Sequence, residues 1–185
     1  MTASLARKAE AGSASGLQSW RRSREAGLSF WPAGDADLPF LSQLYASTRR
    51  EELALTGWSE EQKRFFLAQQ FAAQHSHYTQ HYAGAERLVI NVGGSSIGRL
   101  YLARWHDEHR IVDVALMPEA CGRGYGTAIL GDALDEAFEA GKRASIHVEK
   151  NNPAKRLYLR LGFQVIEDKG VYDLMACFPS GPQPS

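Results

Sequence analysis

Two spacings of apolar residues alternate along the chain. A short apolar run, "LSFWPA" (Leu28–Ala33), predicts an opening strand. Leu38, Leu41, Leu44 and Tyr45 then recur at helical spacing and predict one helix through "DADLPFLSQLYASTRREEL". Ser59 with Gln62 three residues on is a capping-box pattern, so a long helix begins there and runs through "EEQKRFFLAQQFAAQHSHYTQHY". The middle of the chain is β-branched and aromatic. Glu86–Val92, Ser96–Trp105 and Arg110–Met117 predict three strands, with "HDEH" as the hairpin turn between the last two. Beyond it Ile129, Leu130, Ala133, Leu134, Ala137 and Phe138 form one helical stripe, and Gly141 is its stop. "RASIHVE" reads as a strand. "NPAKRLYLRLG" reads as a short helix with Ala154, Leu157, Tyr158 and Leu161 on one face, and "FQVIED" and "VYDLMAC" as a closing hairpin about a Lys-Gly turn. The order β-α-α-β-β-β-α-β-α-β-β predicts an α+β domain with a mixed sheet.

Composition sets the limits of that domain. The 185 residues suit one domain with its own core. Residues 1–27 are rich in Ala, Ser, Gly and Arg and poor in large apolar groups. This predicts a disordered tail over 1–25, a domain over 26–177 and a second tail over 178–185. An Arg- and Ser-rich start also has the composition of a transit peptide. Lys+Arg and Asp+Glu balance at 21 each, so the basic excess expected of a nucleic-acid binder is missing. No apolar run of membrane-spanning length occurs. Cys121 and Cys177 match no metal spacing and predict free thiols in a reducing, cytoplasmic setting. His77 and His81 have a ligand-like spacing but lack an apparent third ligand, so no metal is expected.

The candidate chemistry begins at "CGRGYGTAIL" (Cys121–Leu130), a glycine-rich turn into the amphipathic helix. Unpaired N–H groups and the helix dipole attract an anion at such a start. Arg123 adds charge, and glycine admits close approach of a ligand. The turn fails the G-x-x-x-x-G-K-[ST] spacing of nucleotide triphosphate loops. It fails G-x-G-x-x-[GA] as well, with Ile129 at the third position from Gly124 and Thr127 from Gly122. On spacing alone it is either an anion site or a tight strand-to-helix turn.

Its neighbours narrow this. The segments "VALMPEACGRGYGTAIL" and "HVEKNNPAKRLYLRLGF", in this order and on these elements, resemble the two core motifs of the GCN5-related N-acetyltransferases, the GNAT family. The resemblance spans roughly Leu28 to Cys177. It implies a mostly antiparallel central sheet flanked by helices, acetyl-CoA as co-substrate and an amine acceptor, either a small molecule or a protein or peptide amine. It implies that Gly122, Arg123, Gly124, Tyr125, Gly126 and Thr127 hold the coenzyme A pyrophosphate, and that Val114, Ala115 and Leu116 pair with the pantetheine arm. It further implies that Asn152 contacts the coenzyme, with Asn151 as the alternative one residue away. Asn152 before Pro153 is equally a helix cap. Tyr158 matches the family's general acid, and its place on an apolar stripe is equally that of a core tyrosine. Cys121 stands where the family usually has Gln or Arg.

The proton acceptor is less defined. Ser145, His147 and Glu149 share one face of a strand by its period of two. The candidates rank Glu149, His147, then Asp113 on the preceding strand. The acceptor region is expected in "RREEL" (Arg49–Leu53), Trp58 and the aromatic second helix. A non-catalytic acyl-CoA-binding sensor on the same fold is the other function this pattern allows, and a homodimer stays open.

Overall fold

The computed structural model describes residues 17–179. Seven strands form one sheet in the order β1-β2-β3-β4-β5-β7-β6. They are β1 (Leu28–Pro32), β2 (Glu86–Val92), β3 (Ser95–Arg104), β4 (Glu108–Leu116), β5 (Arg143–Glu149), β6 (Gln164–Lys169) and β7 (Tyr172–Cys177). All neighbours are antiparallel except β4 and β5. Six helices complete the described chain: α1 (Arg21–Glu25), α2 (Leu38–Thr48), α3 (Arg50–Ala54), α4 (Glu60–His81), α5 (Tyr125–Glu139) and α6 (Lys155–Arg160). This is the α+β architecture that the periodicities predict.

The main core lies on one face of the sheet. Leu100, Leu102, Ile111, Ile146 and Met175 point into it, and the α5 stripe of Ile129, Leu130, Ala133 and Ala137 seals it. The opposite face is covered by α2 and α4 over β3, with Leu41, Leu44 and Tyr45 buried beneath them.

Three expectations are corrected. The fold begins before residue 26: α1 docks on α5, with Trp20 only 2% exposed and its Nε1 donating to Glu136 Oε2 (2.7 Å). Asp132 accepts from the N–H groups of Arg22 (3.1 Å) and Ser23 (2.7 Å), so one buried carboxylate caps this short helix. Residues 1–16 of the expected first tail and 180–185 of the second lie outside the described residues. The first long helix is split at Arg49. Ser47 Oγ and Thr48 Oγ1 bond back to the carbonyls of Leu44 and Tyr45 (2.7 Å each) and compete with the helical ladder. The hairpin turn is tighter than "HDEH": Glu108 and His109 belong to β4 and are buried. The capping box at Ser59 forms in both directions (3.2 and 2.8 Å) and starts α4 where the sequence places it.

The feature that positions the site is a parting of two strands. β4 pairs with β5 only over Glu108–Ile111, opposite Arg143–Ile146. The register of β4 with β3 shifts between Tyr101 and Leu102, leaving Val112 as an extra residue. A bulge bends its strand. Beyond it Asp113–Leu116 stay bonded to β3 on one edge, while the other edge faces an open cleft toward the end of β5.

Candidate active site

The glycine turn closes the mouth of this cleft. After Leu116 the chain makes a 3-10 turn over Pro118–Ala120 and enters α5 through Gly122 (φ +74°) and Gly124 (φ +84°). Only glycine adopts such values freely, and nothing lies within 4 Å of where a Cβ would stand at either residue. The bare backbone there faces open space. The helical ladder begins with Ala128 N–H on Gly124 O, which leaves the N–H groups of Tyr125, Gly126 and Thr127 outside it. Arg123 is exposed beside them, Tyr125 packs on the core, and a Cβ on Gly126 would meet Leu157 Cδ2 of α6 at 3.2 Å. A run of free amides at the positive end of a 15-residue helix, with one cation and no side chains in the way, suits a phosphate group. Cys121 Sγ lies against the Met117 carbonyl (3.5 Å), away from those amides.

Val114, Ala115 and Leu116 line the cleft with their unpaired edge, and each is half-buried. Tyr158 on α6 is 4% exposed and packs edge-on against Phe163 at 5.7 Å. Its hydroxyl has no side-chain or backbone partner among the described residues. Burial, and then the charge of Asp113, push its pKa well above the ordinary tyrosine value, so it stays protonated at neutral pH. Asn152 is exposed. Its Oδ1 accepts from Ala154 N (2.8 Å), but α6 begins only at Lys155, so the oxygen serves a local turn rather than capping the helix as expected.

The three base candidates lie in different settings. Asp113 follows the bulge, its side chain 18% exposed, with Oδ2 2.5 Å from Arg99 Nη2 in an ion pair that is off the line of a hydrogen bond. Burial raises its pKa above the usual aspartate value, and Arg99 only partly opposes this. Glu149 ends β5 and is paired to Arg49 Nη2 (3.1 Å). His147 has its Nδ1 3.0 Å from Arg110 Nη1. Arginine only donates, so Nδ1 accepts and the ring proton sits on Nε2. Partial burial and the Arg110 charge lower the imidazole pKa.

Two groups in this region escaped the sequence reading. Arg99 is 4% exposed, donates to Gln74 Oε1 of α4 (2.7 Å) and lies over the Tyr101 ring (5.4 Å). The available signal was an arginine in phase with Tyr101 on the inward positions of β3. Glu108 is 3% exposed and accepts from Arg110 Nη2 (2.6 Å) and Arg143 Nε (2.8 Å), while Arg110 Nε also donates to Ser145 Oγ (2.7 Å). This closed network fixes His147 and was hidden by the turn-like "HDEH".

Some of the residues expected in the acceptor region line one pocket. A pocket of about 310 Å³ is lined by Tyr45, Arg49, Glu52, Leu53, Trp58 and Phe66, among others. Through its bond to Glu149, Arg49 joins this pocket to the cleft. His77 and His81 stack at 4.2 Å, and no group of three or more His, Cys, Asp or Glu among the described residues is arranged to hold a metal.

The family model for the Acetyltransferase (GNAT) family matches residues 43–163. None of the curated proteins matches the chain. Solved structures resemble it at low identity. The PaiA N-acetyltransferase of Thermoplasma acidophilum, in complex with coenzyme A, is 17% identical with a TM-score of 0.62, over 82% of this chain and 98% of that one. A GNAT acetyltransferase of Elizabethkingia anophelis with acetyl-CoA bound is 16% identical with a TM-score of 0.53, over 82% and 98%. A spermidine N-acetyltransferase SpeG chimera from Vibrio cholerae and hSSAT is 20% identical with a TM-score of 0.54, over 82% and 95%. With two thirds of its length matched by the family model, its parted β4 and β5, and a glycine-opened helix at the cleft mouth, the chain belongs to the GNAT family of acetyltransferases.

Proposed function

We propose that the protein transfers the acetyl group of acetyl-CoA directly to a primary amine, with Asp113 as proton acceptor and Tyr158 as proton donor. One observation carries this: the parted strands leave a free backbone edge, capped by free helix amides and flanked by a protonated tyrosine and a carboxylate of raised pKa. Two of the similar solved structures hold coenzyme A or acetyl-CoA, and the glycine turn has the room for such a ligand. The amides from Gly122 to Thr127 bind the pyrophosphate, and the edge at Val114–Leu116 receives the pantetheine arm. An N–H of that edge holds the oxyanion as the amine nitrogen attacks the thioester carbon. Asp113 takes a proton from the attacking amine, directly or through water, and Tyr158 gives one to the departing thiolate. Holding both reactants in line lowers the barrier further.

Asp113 is preferred over Glu149 and His147 for physical reasons. A raised pKa brings a carboxylate closer to the strength a base needs at neutral pH. All three candidates face an arginine, but Glu149 accepts a hydrogen bond from Arg49 and His147 one from Arg110, whereas Asp113 Oδ2, though ion-paired to Arg99, accepts none among the described residues. Tyr158→Phe is expected to lower kcat about 100-fold with the KM for acetyl-CoA unchanged. In the parent, kcat/KM gains as Asp113 ionises on raising the pH, so an acid limb lies above the ordinary value of 3.8, and Asp113→Asn removes it. A thermal shift with acetyl-CoA but no amine-dependent release of coenzyme A would instead identify a non-catalytic acyl-CoA-binding module.

A further inference from the structure

The pocket beside Arg49 points to the kind of amine. We infer that the acceptor is a monoamine with an aromatic or bulky apolar body and no carboxylate beside the amine; this rests on the acetyl-transfer reading above. At about 310 Å³ the pocket has the size of a small-molecule site. Its walls include Tyr45, Leu53, Trp58 and Phe66. Trp58 and Phe66 meet edge-on at 5.2 Å yet remain 42% and 36% exposed, so two large rings are left partly uncovered beside the cleft. An apolar body laid against them would remove that surface from water.

Charge selects the other end of the molecule. Arg49 is the cation of the pocket wall, and it bonds both Glu52 Oε2 (3.2 Å) and Glu149 Oε1 (3.1 Å). Burial weakens its charged form, but the two carboxylates outweigh burial and hold it fully ionised. One cation between two carboxylates leaves a single negative charge in excess. One ammonium balances it, aided by the aromatic faces. An amino acid would add a third carboxylate to this group. A polyamine would bring ammonium groups with no further anions on the wall to meet them. Glu149, at the end of β5, is linked to the pocket lining through Arg49, whose guanidinium also lies over the Tyr45 ring (5.8 Å). An amine drawn toward Glu149 then sits at the reacting end while the apolar body rests against the exposed sides of Trp58 and Phe66.

The test is steady-state coenzyme A release by the full chain with acetyl-CoA and four acceptors: phenethylamine, phenylalanine, spermidine and a short peptide with a free N-terminus. Phenethylamine is expected to have the highest kcat/KM, by about tenfold or more over phenylalanine, the ratio that one unfavourable charge contact produces. Trp58→Ala is expected to raise the KM for phenethylamine about tenfold and leave the KM for acetyl-CoA unchanged. Preference for phenylalanine, spermidine or the peptide would overturn the inferred class while leaving acetyl transfer standing. An unchanged phenethylamine KM in Trp58→Ala would overturn the pocket assignment. No coenzyme A release with any amine, despite a thermal shift with acetyl-CoA, would remove the acetyl-transfer reading and this inference with it.

Discussion

α5 and α4 do opposite jobs beside the same sheet. α5 has 15 residues and buries eight, including Ile129, Leu130, Ala133 and Ala137. α4 has 22 residues and fully buries none. α5 is held by apolar packing, the largest favourable contribution to folding. α4 is held by contacts such as Gln74 with Arg99, Thr79 with Arg87 (3.0 Å) and Tyr78 edge-on to Tyr101 (5.5 Å). The deep helix carries the glycine turn at its N-terminus and holds it against the core. The shallow helix supplies a wall of the pocket beside Arg49, where side chains can change at little cost to the fold.

The contrast can be broken most directly by truncation. Leu130→Ala on α5 (1% exposed) is expected to cost about 2–5 kcal/mol in chemical denaturation. Phe65→Ala on α4 (68% exposed) should stay within about 0.5 kcal/mol. Equal losses would show that α4 contributes to the core as α5 does. A smaller effect tests the polar anchor of α1 on α5. Asp132→Ala leaves the amides of Arg22 and Ser23 unpaired, and is expected to cost about 1–3 kcal/mol and to expose residues 17–25 to proteolysis. If the segment stays protected, Trp20 and the ion pair of Arg22 with Asp135 suffice to hold it.

The smallest effect is electrostatic. His109, 4% exposed beside Glu136 of α5, has its pKa lowered below 6.5 by burial, with Glu136 opposing. Its folded form therefore resists the proton that the unfolded chain accepts. Its contribution to stability is complete above pH 6.5 and is lost as the pH falls toward the lowered value. The melting temperature should decline less steeply below pH 6.5 in His109→Gln than in the parent, and parallel curves would remove His109 from the pH response.

What could be read in advance was what repeats locally. The α5 stripe, the Ser59 capping box and the strand runs each depend on neighbours a few residues apart, and each appears where its spacing indicates. The turn into α5 was legible because Gly122 and Gly124 mark positive φ. The split at Arg49 and the docking of Trp20 were not. The split turns on Ser47 and Thr48 bonding back to the backbone, an option that an apolar spacing does not register. Trp20 is settled by a partner far along the chain, Glu136, 116 residues away. The preference among base candidates changed for the same reason. A strand period puts Ser145, His147 and Glu149 on one face, but only the fold brings Arg110 to His147, Arg49 to Glu149 and Arg99 to Asp113.

The sequence alone determined the element order, the apolar faces and the two motif segments, since hydrophobic periodicity and backbone preference act over a turn or a strand. Tertiary structure decided where β4 leaves β5, which carboxylate is desolvated, and that Arg49, Glu52, Trp58 and Phe66 line one pocket. Burial and charge pairing are sums over residues distant in the chain, and they take their values only when the sheet has closed.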